Sequence, residues 1–197
     1  MKEKQKRSSE IRRKTSETNI MLMLDIDGSG RAEIDTGIPF LDHMLSSFAR
    51  HGRFDLTVKA KGDLEVDCHH LVEDVGICLG RALAECTRHK EGIARFAHSI
   101  ICMDEAQVIL SADLGGRSYL RFDADMPNEV IKGYHTPVTE DFFRALVANS
   151  FMNLHIKKDV GLNAHHIIEA IFKALGLVLH QATRITQKGI PSTKGSI

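Results

Sequence analysis

Tryptophan is absent from this chain, whereas histidine occurs eleven times. That imbalance turns attention to metal and acid–base chemistry. An excess of either charge is also missing. Lys+Arg and Asp+Glu stand at 26 each, so no global field argues for nucleic acid or a membrane surface as partner. The basic start (Lys2, Lys4, Lys6, Arg7) is short and reads as a solvated tail. A long apolar run at the start is lacking too. The first one, Ile20 to Leu24, ends at Asp25, too short for a membrane span or a signal-peptide core. The four cysteines (Cys68, Cys78, Cys86, Cys102) form no Cys-x-x-Cys pair, and a reduced cytoplasmic setting is the simple expectation. No Pro/Ser-rich linker interrupts the chain. With 197 residues, 43% hydrophobic and 26% charged, it reads as one compact unit with an ordinary core.

What is present is a repeat. "DCHHLVED" (67–74) and "NAHHIIEA" (163–170) both write His-His-x-x-Glu at the head of an apolar helix. The offset is 165 − 69 = 96. It carries His69, His70, Glu73, Leu79, Gly80 and Leu83 onto His165, His166, Glu169, Leu175, Gly176 and Leu179. Each half shows the same order. Strand-like segments come first, at 20–26 and 31–34, then at 107–112 and 119–123. A short helix follows, then a period-two strand, then the long His-His helix. This non-alternating order predicts an α+β fold of two similar sheets covered by helices, in repeats of about 10–92 and about 93–190. The halves are expected to meet near residues 90–98.

Chance alone gives about 0.6 adjacent histidine pairs at this histidine content, so a single pair decides nothing. Two pairs inside a repeat, each followed by Glu at the same spacing, point to metal ligation. His69 with Glu73, and His165 with Glu169, are i,i+4 clips on one helix face. His70 and His166 point about 100° away and reach a neighbouring ion instead. The pattern therefore predicts two metal sites, each taking a clip from one repeat and a single histidine from the other. His43 in "GIPFLDHML" is a further candidate ligand. Aligning "LDHML" with "TEDFF" makes Asp141 its counterpart, with His135 in reserve. Imidazole and carboxylate without thiolate suit Mn, Fe or Zn, octahedral Mn among them. Cys68, beside the first pair, reads as a small buried residue. Lys173 continues the His165–Glu169 face at i+8, about 6 Å beyond the clip, where a phosphate tail would end. Its repeat counterpart is Ile77, so the pseudo-symmetry breaks there.

The stretches "GIPFLDHML", "RHG", "DCHHLVED", "RFAHSIICMDEA", "LGGRSYL", "NLHI", "NAHHIIEAIFKALG" and "PSTKG" run in order along nearly the whole chain. In these stretches the chain resembles the imidazoleglycerol-phosphate dehydratases of histidine biosynthesis. The resemblance implies a duplicated unit of the ribosomal-protein-S5-domain-2-like kind, with two four-stranded sheets. It implies two Mn(2+) per active site, and a large octahedral homo-oligomer, a 24-mer, with active sites between subunits. One ion falls to His43, His70, His165 and Glu169. The other falls to His69, Glu73, His166 and position 141, where many relatives carry His and this chain has Asp141. Glu17 of "TSETNI" is nominated as general acid/base; Asp104, Glu105, His43 and His51 are secondary candidates. Arg95 and Arg117 are implied as phosphate ligands, alongside Lys173. Ser192, Thr193 and Lys194 of "PSTKG" would close the site from a flexible tail at 191–197. The reaction implied is loss of water from imidazoleglycerol phosphate, through an imidazolate bridging the two ions and a diazafulvene-like intermediate. Metal storage and metal-assisted phosphoester hydrolysis use similar clips; the phosphate-binding cations argue against storage.

Overall fold

The computed structural model describes residues 7–195. The first half holds β1 (Ser8–Lys14), β2 (Thr18–Asp25), β3 (Ala32–Asp35), α1 (Pro39–Gly52), β4 (Asp55–Gly62) and α2 (His69–Cys86). The second holds β5 (Phe96–Met103), β6 (Ala106–Asp113), β7 (Tyr119–Asp123), the two-residue strands β8 (Val130–Ile131) and β9 (Tyr134–His135), α3 (Val138–Ser150), β10 (Asn153–Val160) and α4 (Ala164–Thr183). Two four-stranded sheets result, in the orders β1-β2-β4-β3 and β5-β6-β10-β7. In each, the last pair is parallel and the others antiparallel. The expected duplicated α+β architecture is therefore the observed one.

Strict alternation builds the strands. In β2, Ile20, Leu22 and Leu24 turn inward, and in β4, Leu56, Val58 and Ala60 do so opposite them. Two strands of the four-stranded sheets were not expected, and neither were the two-residue β8 and β9. β1 buries only one apolar side chain, Ile11, so its hydrophobic pattern is silent; ladder bonds to β2 define it. β5 is apolar on both faces, with Ile101 and Met103 towards the core and Phe96 and Ile100 outward, which hides the period of two. Arg7 is not a solvated tail residue either: it donates to Asp27 at 2.6 Å and to the Thr183 carbonyl. Lys2, Lys4 and Lys6 lie outside the described residues.

The halves interlock through their helices. α2 covers β1 and β2, and α4 covers β5 and β6. Each short helix, however, packs on the long helix of the opposite half, α1 on α4 and α3 on α2. Glycine makes both crossings close. A Cβ at Gly176 would lie 2.5 Å from the Phe48 carbonyl oxygen, and one at Gly80 would strike the Leu146 carbonyl oxygen. Gly80 and Gly176 are repeat counterparts, so the duplicated glycine is a packing requirement. Phe142, Phe143 and Phe172 fill the space between, with ring centroids 5.2–5.4 Å apart. One continuous cluster of buried side chains runs from Ile11 to Ala182, crossing both halves.

Candidate active site

Both His-His pairs sit in the first turn of their helices because a side chain fixes the start. Asp67 Oδ1 accepts from the His69 N–H at 2.7 Å. Its repeat counterpart Asn163 accepts from the His165 and His166 N–H groups at 2.9 and 3.4 Å. The helix crossings then bring partners from the other half.

At the α1–α4 crossing, His43, His165 and Glu169 offer ligand atoms that all lie within 4.8 Å of one another. Glu169 Oε2 stands 3.2 Å from His165 Nε2 and 3.4 Å from His43 Nε2. The Glu169 residue is only 6% exposed. Burial works to raise its carboxyl, but the Lys173 ammonium and His43 outweigh it and hold the group below its usual range. Lys173 Nζ lies 2.8 Å from Glu169 Oε1 and 3.3 Å from Met103 Sδ. It is therefore turned back onto the clip, not extended one helical step beyond it. That leaves Oε2 facing the two imidazoles. His51 lies two turns along α1 from His43, and burial and the Lys173 charge hold its pKa below the ordinary value.

The pseudo-symmetric crossing, α2 on α3, is looser. His69 Nε2 is 3.6 Å from Glu73 Oε2, and His69 Nδ1 is 3.9 Å from Asp141 Oδ2. Asp141 does occupy the place that mirrors His43, but its carboxylate faces the other ring nitrogen from Glu73. His135 enters neither group through its ring among the described contacts. Its backbone N–H donates to the buried Cys68 thiol, at 3.4 Å.

The second histidine of each pair turns towards the first hairpin of its own half. His70 Nδ1 lies 3.0 Å from Asp63 Oδ2 and 3.9 Å from Glu17 Oε2. The Asp63 hydrogen bond raises the His70 pKa. His166 Nδ1 lies 2.6 Å from Glu105 Oε2, and its Nε2 is 3.5 Å from Asp104. The Glu105 hydrogen bond raises the His166 pKa, and His166 in turn holds the Glu105 carboxyl down to about 2. Glu105 was a secondary acid/base candidate and emerges as the partner of His166. Asp63 was not foreseen, since its segment "KGDLEVD" carries several acids with no periodicity to single one out.

Glu17 sits in a turn with two anchors. Thr15 Oγ1 accepts from the N–H groups of Glu17 and Thr18, at 3.1 and 2.9 Å. Thr18 Oγ1 donates to the buried Asp74, which Arg13 also grips at 2.8 Å. Glu17 lines a cavity of about 360 Å³ together with Lys61 and Asp63.

Arg95, Arg117, Ser192, Thr193 and Lys194 line a separate cavity of about 830 Å³. The Arg95 guanidinium binds Asp113 at 2.7 Å and the Pro191 carbonyl at 2.8 Å, which ties the C-terminal segment to the cavity wall. Residues 196 and 197 of the expected tail lie outside the described residues. Gly115 keeps this wall open: a Cβ there would lie 2.7 Å from an Asp113 carboxylate oxygen. Arg95 precedes β5 and Glu105 follows it. Seven residue steps of strand separate Phe96 from Met103, roughly 23 Å at about 3.3 Å each. Within one chain the cationic cavity and the histidine clusters thus stand at opposite ends of a sheet.

A family model described as imidazoleglycerol-phosphate dehydratase matches residues 36–179, a span holding α1, both His-His helix heads and Asp141. The chain belongs to the imidazoleglycerol-phosphate dehydratase family. Similar full-length dehydratases of this family come from Desulforudis audaxviator, 51% identical with 97% of this chain and 98% of that one covered, and from Acetivibrio thermocellus, 51% identical with 97% and 99% covered. Among solved structures, the Staphylococcus aureus imidazoleglycerol-phosphate dehydratase superposes with a TM-score of 0.82 at 35% identity, covering 91% of this chain and 99% of that one. The Pyrococcus furiosus enzyme, solved in complex with (S)-C348, gives 0.82 at 37% identity, covering 95% and 100%. Family membership makes the chain a dehydratase in type, and the His43–His165–Glu169 group a fitting seat for a metal: two imidazole nitrogens and one buried carboxylate oxygen, with no thiolate.

Proposed function

We propose that the chain is a Mn²⁺-dependent imidazoleglycerol-phosphate dehydratase, eliminating water from D-erythro-imidazoleglycerol phosphate to give imidazoleacetol phosphate in L-histidine biosynthesis. The observation that carries the reading is the buried Glu169 carboxylate facing His43 and His165 inside a chain of this family. His43, His165 and Glu169, with His70, would hold one ion; His69, Glu73 and Asp141, with His166, would hold the other. Bound there, two Mn²⁺ supply Lewis acidity and orient the imidazole ring of the substrate.

The chain's own groups do the rest. Glu17, on its anchored turn beside His70, takes the proton from the central carbinol carbon as hydroxide leaves the carbon next to the ring. It then returns that proton to the ring-side carbon as the enol becomes the ketone, and the enol O–H proton joins the departed hydroxide, so the balance is the loss of one water. Arg95, Arg117, Ser192, Thr193 and Lys194 grip the phosphate, while Lys173 stays paired with the Glu169 carboxylate.

Distance argues that two copies build each site. The substrate is roughly 9 Å long at about 1.5 Å per bond. It cannot bridge the roughly 23 Å between the clusters of one chain. A neighbouring copy must bring its arginine cavity to this chain's histidines, which fits a homo-oligomeric assembly, the 24-mer, with interfacial active sites. The outer face of the second sheet supports this: Phe96 and Ile100 are each 59% exposed there. No helix among the described residues is long and apolar enough to cross a membrane. Four free cysteines fit a cytoplasmic setting.

The test is direct. Purified protein, Mn²⁺ and imidazoleglycerol phosphate should yield the enol/ketone absorbance in the ultraviolet without free phosphate. Phosphate release without ketone would instead identify a phosphoester hydrolase, and neither signal would leave only metal storage.

A further inference from the structure

The duplication places an acidic residue at the same point of each first hairpin. β2 begins at Thr18 and β6 at Ala106, so Glu17 and Glu105 are counterparts. Both face the second histidine of their own half. The two contacts nevertheless differ. Glu105 touches His166 Nδ1 at 2.6 Å, whereas Glu17 stays 3.9 Å from His70 Nδ1, because Asp63 already holds that nitrogen at 3.0 Å. Asp63 follows β4; the residue following β10 is Gly161, which has no side chain to offer. Each half therefore has one carboxylate at hydrogen-bond distance from Nδ1, Asp63 in the first and Glu105 in the second, and in the first half the hairpin carboxylate Glu17 is not the one that holds the ring.

We propose that Glu105 and Asp63 are positioning residues that fix His166 and His70 in the Nδ1–H tautomer with Nε2 directed to a metal ion, and that Asp63 thereby leaves the Glu17 carboxylate unbonded for proton transfer. A carboxylate only accepts, so the Nδ1 it contacts carries the hydrogen and the Nε2 lone pair remains for the ion. Glu105 is itself held. Its Oε1 accepts from the Asn163 N–H at 2.9 Å and the Leu162 N–H at 3.3 Å, which ties the strut to the head of the helix that carries His166. Asp104, 3.5 Å from His166 Nε2, adds negative charge on the side that would face an ion. The repeat has thus diverged in function: one hairpin carboxylate became a strut, and the other was released by a substitute strut.

This inference rests on the two-ion reading above. The experiment measures Mn²⁺ affinity and stoichiometry by electron paramagnetic resonance of free Mn²⁺, on the assembled protein and on Glu105→Ala, Glu105→Gln, Asp63→Ala and Asp63→Asn. Light scattering checks that each variant assembles. Removal of the acceptor by Ala should weaken one Mn²⁺ by roughly 10–100-fold. Gln and Asn keep an acceptor oxygen for Nδ1–H and should recover most of that loss. Asp63→Ala should in addition cut kcat beyond its effect on occupancy at saturating Mn²⁺, since Glu17 then falls back onto His70. Unchanged affinity in both Ala variants, or amide variants as weak as the Ala ones, would overturn the proposal while leaving the two-ion reading intact. A parent protein that binds no Mn²⁺ would fail that reading itself. Should Glu105→Ala not assemble, the Asp63 pair decides the matter alone.

Discussion

Substituting Gly176 by Ala tests whether the helix crossing sets the metal geometry. The new Cβ would lie 2.5 Å from the Phe48 carbonyl oxygen and 2.8 Å from the Gly52 nitrogen, both backbone atoms of α1. An ordinary carbon–oxygen contact is about 3.3 Å, so α1 must retreat by roughly 0.8 Å. Overpacking of this kind costs about 1–3 kcal/mol, and the gain in helix propensity from Gly to Ala returns up to about 1 kcal/mol. A collision with backbone atoms puts the cost at about 2–3 kcal/mol, so a net loss of about 1–2 kcal/mol predicts a fall in Tm of roughly 2–8 °C for a chain of this size, at fixed protein concentration. The same retreat carries His43 away from Glu169, whose atoms are 3.4 Å apart. Ligand positions tolerate only about 0.5 Å, so one Mn²⁺ per chain should weaken measurably while the other does not. Differential scanning calorimetry of the metal-free protein and Mn²⁺ titration read the two effects separately. A Gly176→Ala protein that is as stable as the parent and binds both ions equally would refute the claim that this contact positions the site.

Three further outcomes are expected. Glu17→Gln should keep two Mn²⁺ per chain yet lose about 10²–10⁴-fold in kcat, and near-normal turnover would remove Glu17 from proton transfer. Asp141→Ala should weaken the ion at the α2–α3 crossing, seen as loss of one tight site in a Mn²⁺ titration; two unchanged sites would strike Asp141 from the ligand set. Asp55 accepts from the Ser29, Gly30 and Arg31 N–H groups at 2.8, 3.2 and 3.1 Å, and the Ser29 bond leads in depressing its pKa. A depressed folded-state pKa stabilises above the ordinary carboxylate value and is lost as pH falls through the folded one. Asp55→Ala should therefore cost about 2 kcal/mol near neutrality, with the gap to the parent closing as pH drops below about 4. A gap that persists unchanged to the acid limit would contradict this.

The His-His-x-x-Glu heads and the i,i+4 clips are local, and the amino-acid order determined them outright, since helical spacing alone puts His165 beside Glu169. The 96-residue offset likewise determined that the fold is doubled. Local patterning fails where one element must choose a distant partner. His43 meets Glu169 because α1 crosses α4 of the opposite half, a choice made by glycine clearance and shared burial and not by spacing. Lys173 folds back because a buried carboxylate without a cation is too costly to leave. β1 and β5 emerge only through ladder bonds to their neighbours, which carry no side-chain signal. The separation of the arginine cavity from the histidines is likewise tertiary. It follows from the length of one sheet, which no local pattern of residues reports.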